Sequence, residues 1–139
     1  MASYLLYIQS RTLFGRYPGD RLMEKRNFTR VNFTVWASIK YDDHLFFGDI
    51  DNVSLQGLFF KTDQEVPLNI AVGVTVYYSS NSSIFLNAHV IRREHTGVGM
   101  QINNIDANSF VSLRNIVALH CNDQDLVMRE TYRMAGCIH

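Results

Sequence analysis

The sequence predicts an all-β domain, a small six-stranded antiparallel barrel or sandwich, with a helix at its C-terminal end. Three observations carry this. Apolar and polar residues alternate through most of residues 31–102, the period of a half-buried strand. The alternating runs are short and joined by compact turn sequences, as antiparallel neighbours are. Beyond Asp106 the period becomes that of a helix.

The first strand is the clearest. Val31, Phe33, Val35, Ala37, Ile39 and Tyr41 alternate with Asn32, Thr34, Trp36, Ser38 and Lys40, so the odd positions face inward. Tyr41-Asp42-Asp43-His44 reads as a hairpin turn and residues 45–50 as the return strand. A polar turn, residues 52–57, leads to the short apolar strand at 58–61, and residues 63–69, with Pro67, form a loop. Val72, Val74, Val76 and Tyr78 mark the fourth strand, and Ser79-Ser80-Asn81-Ser82 is turn material. Ile84, Leu86, Ala88 and Val90 mark the fifth, which runs to about Arg93; after His95-Thr96-Gly97, the sixth carries Val98, Met100 and Ile102. Closure of such a set would remove unpaired strand edges.

Asp106 is placed to cap a helix whose Phe110, Leu113, Ile116, Val117 and His120 share one face. That face should pack across an opening of the β structure. A second helix, from Asp123 to Met134, offers the less regular face Leu126, Val127 and Tyr132.

A chain of 139 residues is long enough for one domain with its own core. Residues 1–22 follow neither period, and Tyr17-Pro18-Gly19-Asp20 is turn chemistry. The expected organisation is an extension at 1–22, a β domain with its helix at 23–121 starting at Met23, and a helical tail at 122–139. A functional N-terminal arm is the other reading of the first segment.

Thirteen basic residues balance thirteen acidic ones. Zero net charge argues against a broad footprint for duplex DNA or an anionic membrane, but a small anion needs only a local cationic pocket. Cys121 and Cys137 give neither a disulfide framework nor zinc-site spacing and read as thiols in a reducing compartment. The apolar run from Tyr4 to Ile8 is too short for a signal segment or a membrane span, so the expected location is the cytoplasm, without membrane insertion. His44, His89, His95, His120 and His139 lack metal spacing. Asp42-Asp43 and Asp49/Asp51 sit in a turn and at a strand end, and no nucleophile elbow, P-loop or dinucleotide fingerprint occurs. No enzyme, metal or cofactor is expected.

Two short pieces stand out. Arg26-Asn27-Phe28-Thr29-Arg30 puts two guanidinium groups four residues apart, a spacing that lets both point the same way in extended chain or helix. Each is a planar fork that pairs bidentately with phosphate oxygens or with the O6 and N7 acceptors of guanine. Asn52-Val53-Ser54-Leu55-Gln56-Gly57 is a polar turn. Its Asn and Ser make local hydrogen bonds, and Gly57 permits positive φ and close approach of a ligand to the backbone. Either piece alone reads as a charged linker or a plain turn. The informative observation is the pair, flanking one strand hairpin.

In that order and spacing the two pieces resemble the signature of the PilZ domain, a bacterial module that binds the second messenger cyclic di-GMP. The pattern RxxxR followed by [D/N]xSxxG is met by Arg26, Arg30, Asn52, Ser54 and Gly57. Residues 97–102 are similar to the family's GxGxxF-type strand, with Ile102 in place of the aromatic. The resemblance spans roughly residues 25–120. It implies a six-stranded antiparallel β-barrel of the split-barrel kind with a C-terminal helix.

It further implies that Arg26 and Arg30 grip guanine and phosphate, that Asn52 and Ser54 hydrogen-bond the other guanine or the ribose-phosphate ring, and that Gly57 shapes the loop. Asn52 stands where many members have aspartate and presents one accepting oxygen in place of a charged pair, which points to weaker binding. Lys25 precedes the first arginine, where a cation favours an intercalated ligand pair. The expected ligand is therefore cyclic di-GMP, which orders residues 23–30 against the barrel and signals to a protein partner. Arg92 and Arg93 fall on a barrel wall, one of them within reach of the ligand. Trp36, facing outward, is read as structural rather than base-stacking. The rival readings are a nucleotide-independent protein-interaction module on the same barrel and a small-barrel binder of single-stranded nucleic acid, the latter disfavoured by zero net charge and inward aromatics.

Overall fold

The structure, a computed structural model, describes residues 28–139; the extension at 1–22, the start at Met23, and Lys25 and Arg26 lie outside the described residues. Six strands, β1 (Val31–Tyr41), β2 (His44–Val53), β3 (Gly57–Lys61), β4 (Ala71–Ser79), β5 (Ser82–Glu94) and β6 (Gly97–Ile105), precede two helices, α1 (Ala107–Leu119) and α2 (Gln124–Arg133). The strands close into an antiparallel barrel in the order β1-β2-β3-β6-β5-β4. Of the two architectures open to the sequence, the barrel forms, and every strand has two partners.

The alternation in β1 does what its period requires. Val31, Ala37 and Ile39 are buried, and Phe33, Val35 and Tyr41 pack half-buried against the same core. Ile50, Leu58, Phe60, Val74, Leu86 and Ile102 fill the interior from the other strands. β2 runs past Ile50 to Val53, further than its alternation suggests. The cause is a pair of irregularities, between Asn32 and Val35 on the β1 side and between Ile50 and Asn52 on the β3 side. A bulge breaks the period of two while the ladder continues, and it re-aims the side chains beside it.

Asp106 caps α1 by accepting from the Ser109 N–H at 3.1 Å. Phe110, Leu113, Ile116 and Val117 turn into the core as expected, joined by Ser109, whose Oγ accepts from the Phe85 amide at 3.1 Å. His120 does not share that face. It is the exposed C-cap, its Nδ1–H donating to the Ile116 carbonyl at 2.9 Å and its ring centroid 5.2 Å from that of Phe33.

Asp123 caps α2 by accepting from the Leu126 N–H at 3.0 Å. The buried stripe of this helix is Val127 and Glu130, continued by Met134; Tyr132, expected inward, is 75% exposed. The chain then returns to the barrel, where Ile138 bridges Ile105 and the His139 N–H donates to the Ile105 carbonyl at 3.0 Å.

One end of the barrel thus gathers the start of β1, the β2–β3 loop, the end of β6, both helices and the tail. The Asp42-Asp43 and His95-Thr96 turns lie at the other end.

Candidate functional site

The β2–β3 loop is built by its own serine. The Ser54 N–H donates to the Gly57 carbonyl at 2.8 Å, and Ser54 Oγ accepts from the Gly57 and Gln56 amides at 3.0 and 3.2 Å. A hydroxyl that folds back on the following amides in this way makes a compact turn. Ser54 is 2% exposed, so its hydroxyl serves the loop's interior rather than the surface. Leu55 is fully buried and pins the loop to the core, and the Gln56 carbonyl accepts from the Ile102 amide at 2.7 Å.

Gly57 is needed for a different reason from the one its type suggested. No described glycine has positive φ. Instead β6 passes so close that a Cβ on Gly57 would overlap the Met100 carbonyl oxygen. The absent side chain lets β3 and β6 pair through Gly57 and Gln101.

On this rigid corner stands Asn52, half-buried at the end of β2, opposite Asn32 on β1 and Phe59 on β3. Its Oδ1 accepts from Arg30 Nη1 at 2.8 Å across 22 residues of sequence. The described part of the first sequence motif therefore meets the second directly. Arg26 and Lys25 are outside the described residues.

The outer surface next to Asn52 forms a cross-strand row, with Asn52 opposite Phe59, Phe59 opposite Gly99 and Gly99 opposite Arg92. Arg92 lies along this row and not away from it. Its guanidinium carbon would stand 3.1 Å from a Cβ on Gly99 and is 5.9 Å from the centre of the Phe59 ring. Gly99 thereby leaves a floor across which a cation reaches back toward Asn52. Phe59 is buried yet outside the core cluster, because Arg92 covers it from the outside. Arg92 pairs with Glu94, and Arg93 turns toward Glu65 at 3.9 Å, so of the two arginines Arg92 is the one that faces the site.

The approach to β1 is held from below by α2. The Thr29 N–H donates to both oxygens of Glu130 at 3.0 Å, and its Oγ1 donates to Oε2 at 2.7 Å. The Arg133 guanidinium lies 4.2 Å over the Phe28 ring. Residues 28–30 are thus held at both α2 and Asn52. Burial raises the Glu130 carboxyl above its ordinary range, opposed by the Thr29 hydrogen bonds and by Arg133 and Arg129.

Sequence reasoning missed Thr29, Phe28, Glu130 and Arg133. One signal was present: Glu130 sits at i+3 from Val127 and i−4 from Met134, a carboxylate inside an apolar stripe.

The other candidates have structural places. His44 stacks on Tyr41 with ring centroids 4.9 Å apart, and His89 Nδ1 pairs with Asn103 Oδ1 at 2.8 Å. Trp36 is 51% exposed on the outer wall and stacks on Phe47, itself 53% exposed, at 6.0 Å. Leu45, Tyr77 and Phe85 extend that wall.

Residues 24–119 match the model of the PilZ domain family. No curated protein matches the chain in sequence. Among solved structures, the chain is similar to the PilZ domain of YcgR from Escherichia coli, determined with c-di-GMP, at 13% identity and a TM-score of 0.56, covering 80% of this chain and 97% of that one. It is similar to the PilZ domain of CeSA from a cellulose-synthesizing bacterium at 14% identity and a TM-score of 0.54, covering 64% and 94%. The Bacillus subtilis inhibitor of motility MotI/DgrA aligns at 12% identity and a TM-score of 0.56, over 78% of this chain but 52% of its own length. At these identities the likeness is one of fold.

Proposed function

The chain belongs to the PilZ domain family, and on that footing we propose that it is a receptor for cyclic di-GMP that passes the signal to a protein partner and catalyses no reaction itself. The observation that carries this reading is the Arg30–Asn52 hydrogen bond at 2.8 Å, which brings a guanidinium and a side-chain amide at the end of β2 together at one barrel corner. That corner suits a ligand with both phosphate and guanine. Arg30 and Arg26 supply forks for phosphate oxygens and for the guanine O6/N7 edge. Asn52 offers hydrogen bonds to a second base edge, and Lys25 adds a cation that favours a ligand pair. Ser54 and Gly57 act by holding the loop in shape. Arg92, laid over Phe59, adds a third guanidinium with an aromatic ring behind it.

Contacts from Arg26 and Arg30 tighten residues 23–30 on the barrel, where Phe28, Thr29 and Arg30 are already held, and so create the surface a partner reads. Such a change requires the ligand to bind the tightened state better than the looser one. No helix among the described residues is long and apolar enough to cross a membrane, which is compatible with a cytoplasmic receptor.

Calorimetric titration of the full chain with cyclic di-GMP tests the reading. Saturable heat that Arg30→Ala and Arg26→Ala abolish supports it, and no heat from folded protein at tens of micromolar rejects it. A second reading, a nucleotide-independent interaction module, is favoured by the exposed wall of Trp36, Leu45, Phe47, Tyr77 and Phe85. Contiguous apolar surface of this kind marks contact sites. A partner captured equally with and without nucleotide, and lost on Trp36→Ala, would select it.

A further inference from the structure

Glu130 is 3% exposed, and burying a carboxylate for packing alone is unfavourable. Its hydrogen-bond partners are the amide and the hydroxyl of Thr29, 101 residues earlier in the chain. Three residues on along the same helix, Arg133 covers the ring of Phe28. Two consecutive residues are thereby tied to α2. The next residue is Arg30, and the one after it, Val31, enters the β1 ladder opposite Val53. The backbone of Arg30 is therefore fixed on both sides, which places its guanidinium at Asn52. α2 begins at Gln124, beyond the residues that match the family model, so this anchor comes from the chain's own tail.

We propose that Glu130 is a positioning residue of the dinucleotide site: it holds Thr29 so that Arg30 stands at Asn52, and it couples ligand occupancy to the docking of α2. The proposal rests on the cyclic di-GMP reading above. Coupling of this kind is reciprocal, so ligand must steady α2 by as much as α2 favours ligand. Losing the anchor leaves at least one backbone residue to be ordered again on binding, a cost equivalent to about tenfold in affinity.

Calorimetry with cyclic di-GMP on the full chain compares wild type with Glu130→Ala, Thr29→Val and the double variant. Glu130→Ala should bind about tenfold more weakly. Thr29→Val, which loses only the hydroxyl bond, should bind a few-fold more weakly, and adding it to Glu130→Ala should change nothing further, because both act through one contact. Hydrogen exchange of residues 124–133 supplies a readout that a purely structural role would not move. Ligand should slow it in wild type and leave it unchanged in Glu130→Ala. If Glu130→Ala does not fold, the Thr29→Val affinity and the wild-type exchange decide alone. Unaltered affinity in the folded variants, or exchange in wild-type α2 that is blind to ligand, overturns the positioning role while leaving the receptor reading intact. Absence of binding by wild type overturns both.

Discussion

The backbone carbonyl of Met100 on β6 occupies the space where a side chain on Gly57 would begin. Any residue larger than glycine must push β3 from β6 at the point where the β2–β3 loop is anchored. Gly57→Ala is therefore expected to destabilise the fold by about 1–3 kcal/mol, the usual cost of overpacking against a stiff neighbour. The denaturation midpoint reads it, and ligand affinity should fall in parallel because Asn52 stands at the end of β2, which leads into the same loop.

Ser54→Ala should cost stability with or without ligand. It removes the oxygen that accepts from the Gln56 and Gly57 amides in a buried position. Leaving such donors unmet costs about 1–3 kcal/mol. Chemical denaturation of the ligand-free protein measures it, and an unchanged midpoint would show that water replaces the hydroxyl.

Leu55→Ala separates anchoring from recognition. The side chain is fully buried and touches the core from within the loop. Its truncation should destabilise by about 2–5 kcal/mol. A ligand that binds the folded loop should then raise the variant's denaturation midpoint by an amount that grows with ligand concentration.

Asn52→Asp should strengthen ligand binding several-fold. A carboxylate accepts two N–H bonds from a guanine edge with charge assistance, where the amide offers one oxygen. The same change converts the Arg30 contact into an exposed ion pair, worth at most about 1 kcal/mol. Calorimetry should show tighter binding with little change in stability; weaker binding would mean that the Arg30 pair competes with the ligand.

Stability should depend on pH through two carboxyls acting in separate windows. The Glu130 carboxyl is raised above its ordinary value of 4.5, chiefly by burial, so the native state holds a proton that the unfolded chain releases. That contribution is fully present below 4.5 and is lost as pH rises through the raised value. Asp106 is lowered from 3.8 by the Ser109 N–H, so its contribution is present above 3.8 and is lost as pH falls through the lower folded value. Wild type should accordingly lose stability relative to Glu130→Gln as pH increases from 4.5, and relative to Asp106→Asn as pH decreases below 3.8. Denaturation midpoints across both ranges test the signs.

Local pattern reached some of this molecule and not the rest, for physical reasons. β1 was legible because each of its inward residues meets the same core, so burial writes a period of two directly into the chain. The pattern of β2 stops at Ile50 because the bulges near Asn52 break that period beside the candidate site. Residue type singles out Ser54 and Gly57, but their work is internal: a hydroxyl closing its own turn, and room for a neighbouring strand. Spacing puts His120 and Tyr132 inward, yet one ends α1 and the other faces solvent. The Thr29–Glu130 contact joins positions 101 residues apart, and no periodicity encodes such a pairing.

The barrel's two ends are unequal. Every element tied to Asn52 and to the helices is gathered at one pole, while the Asp42-Asp43 and His95-Thr96 hairpins occupy the other. The far pole is thus a handle. A fluorophore, a surface tether or a fused reporter attached there would hold the molecule without touching the corner proposed to read the ligand, which is the placement a sensing head would need.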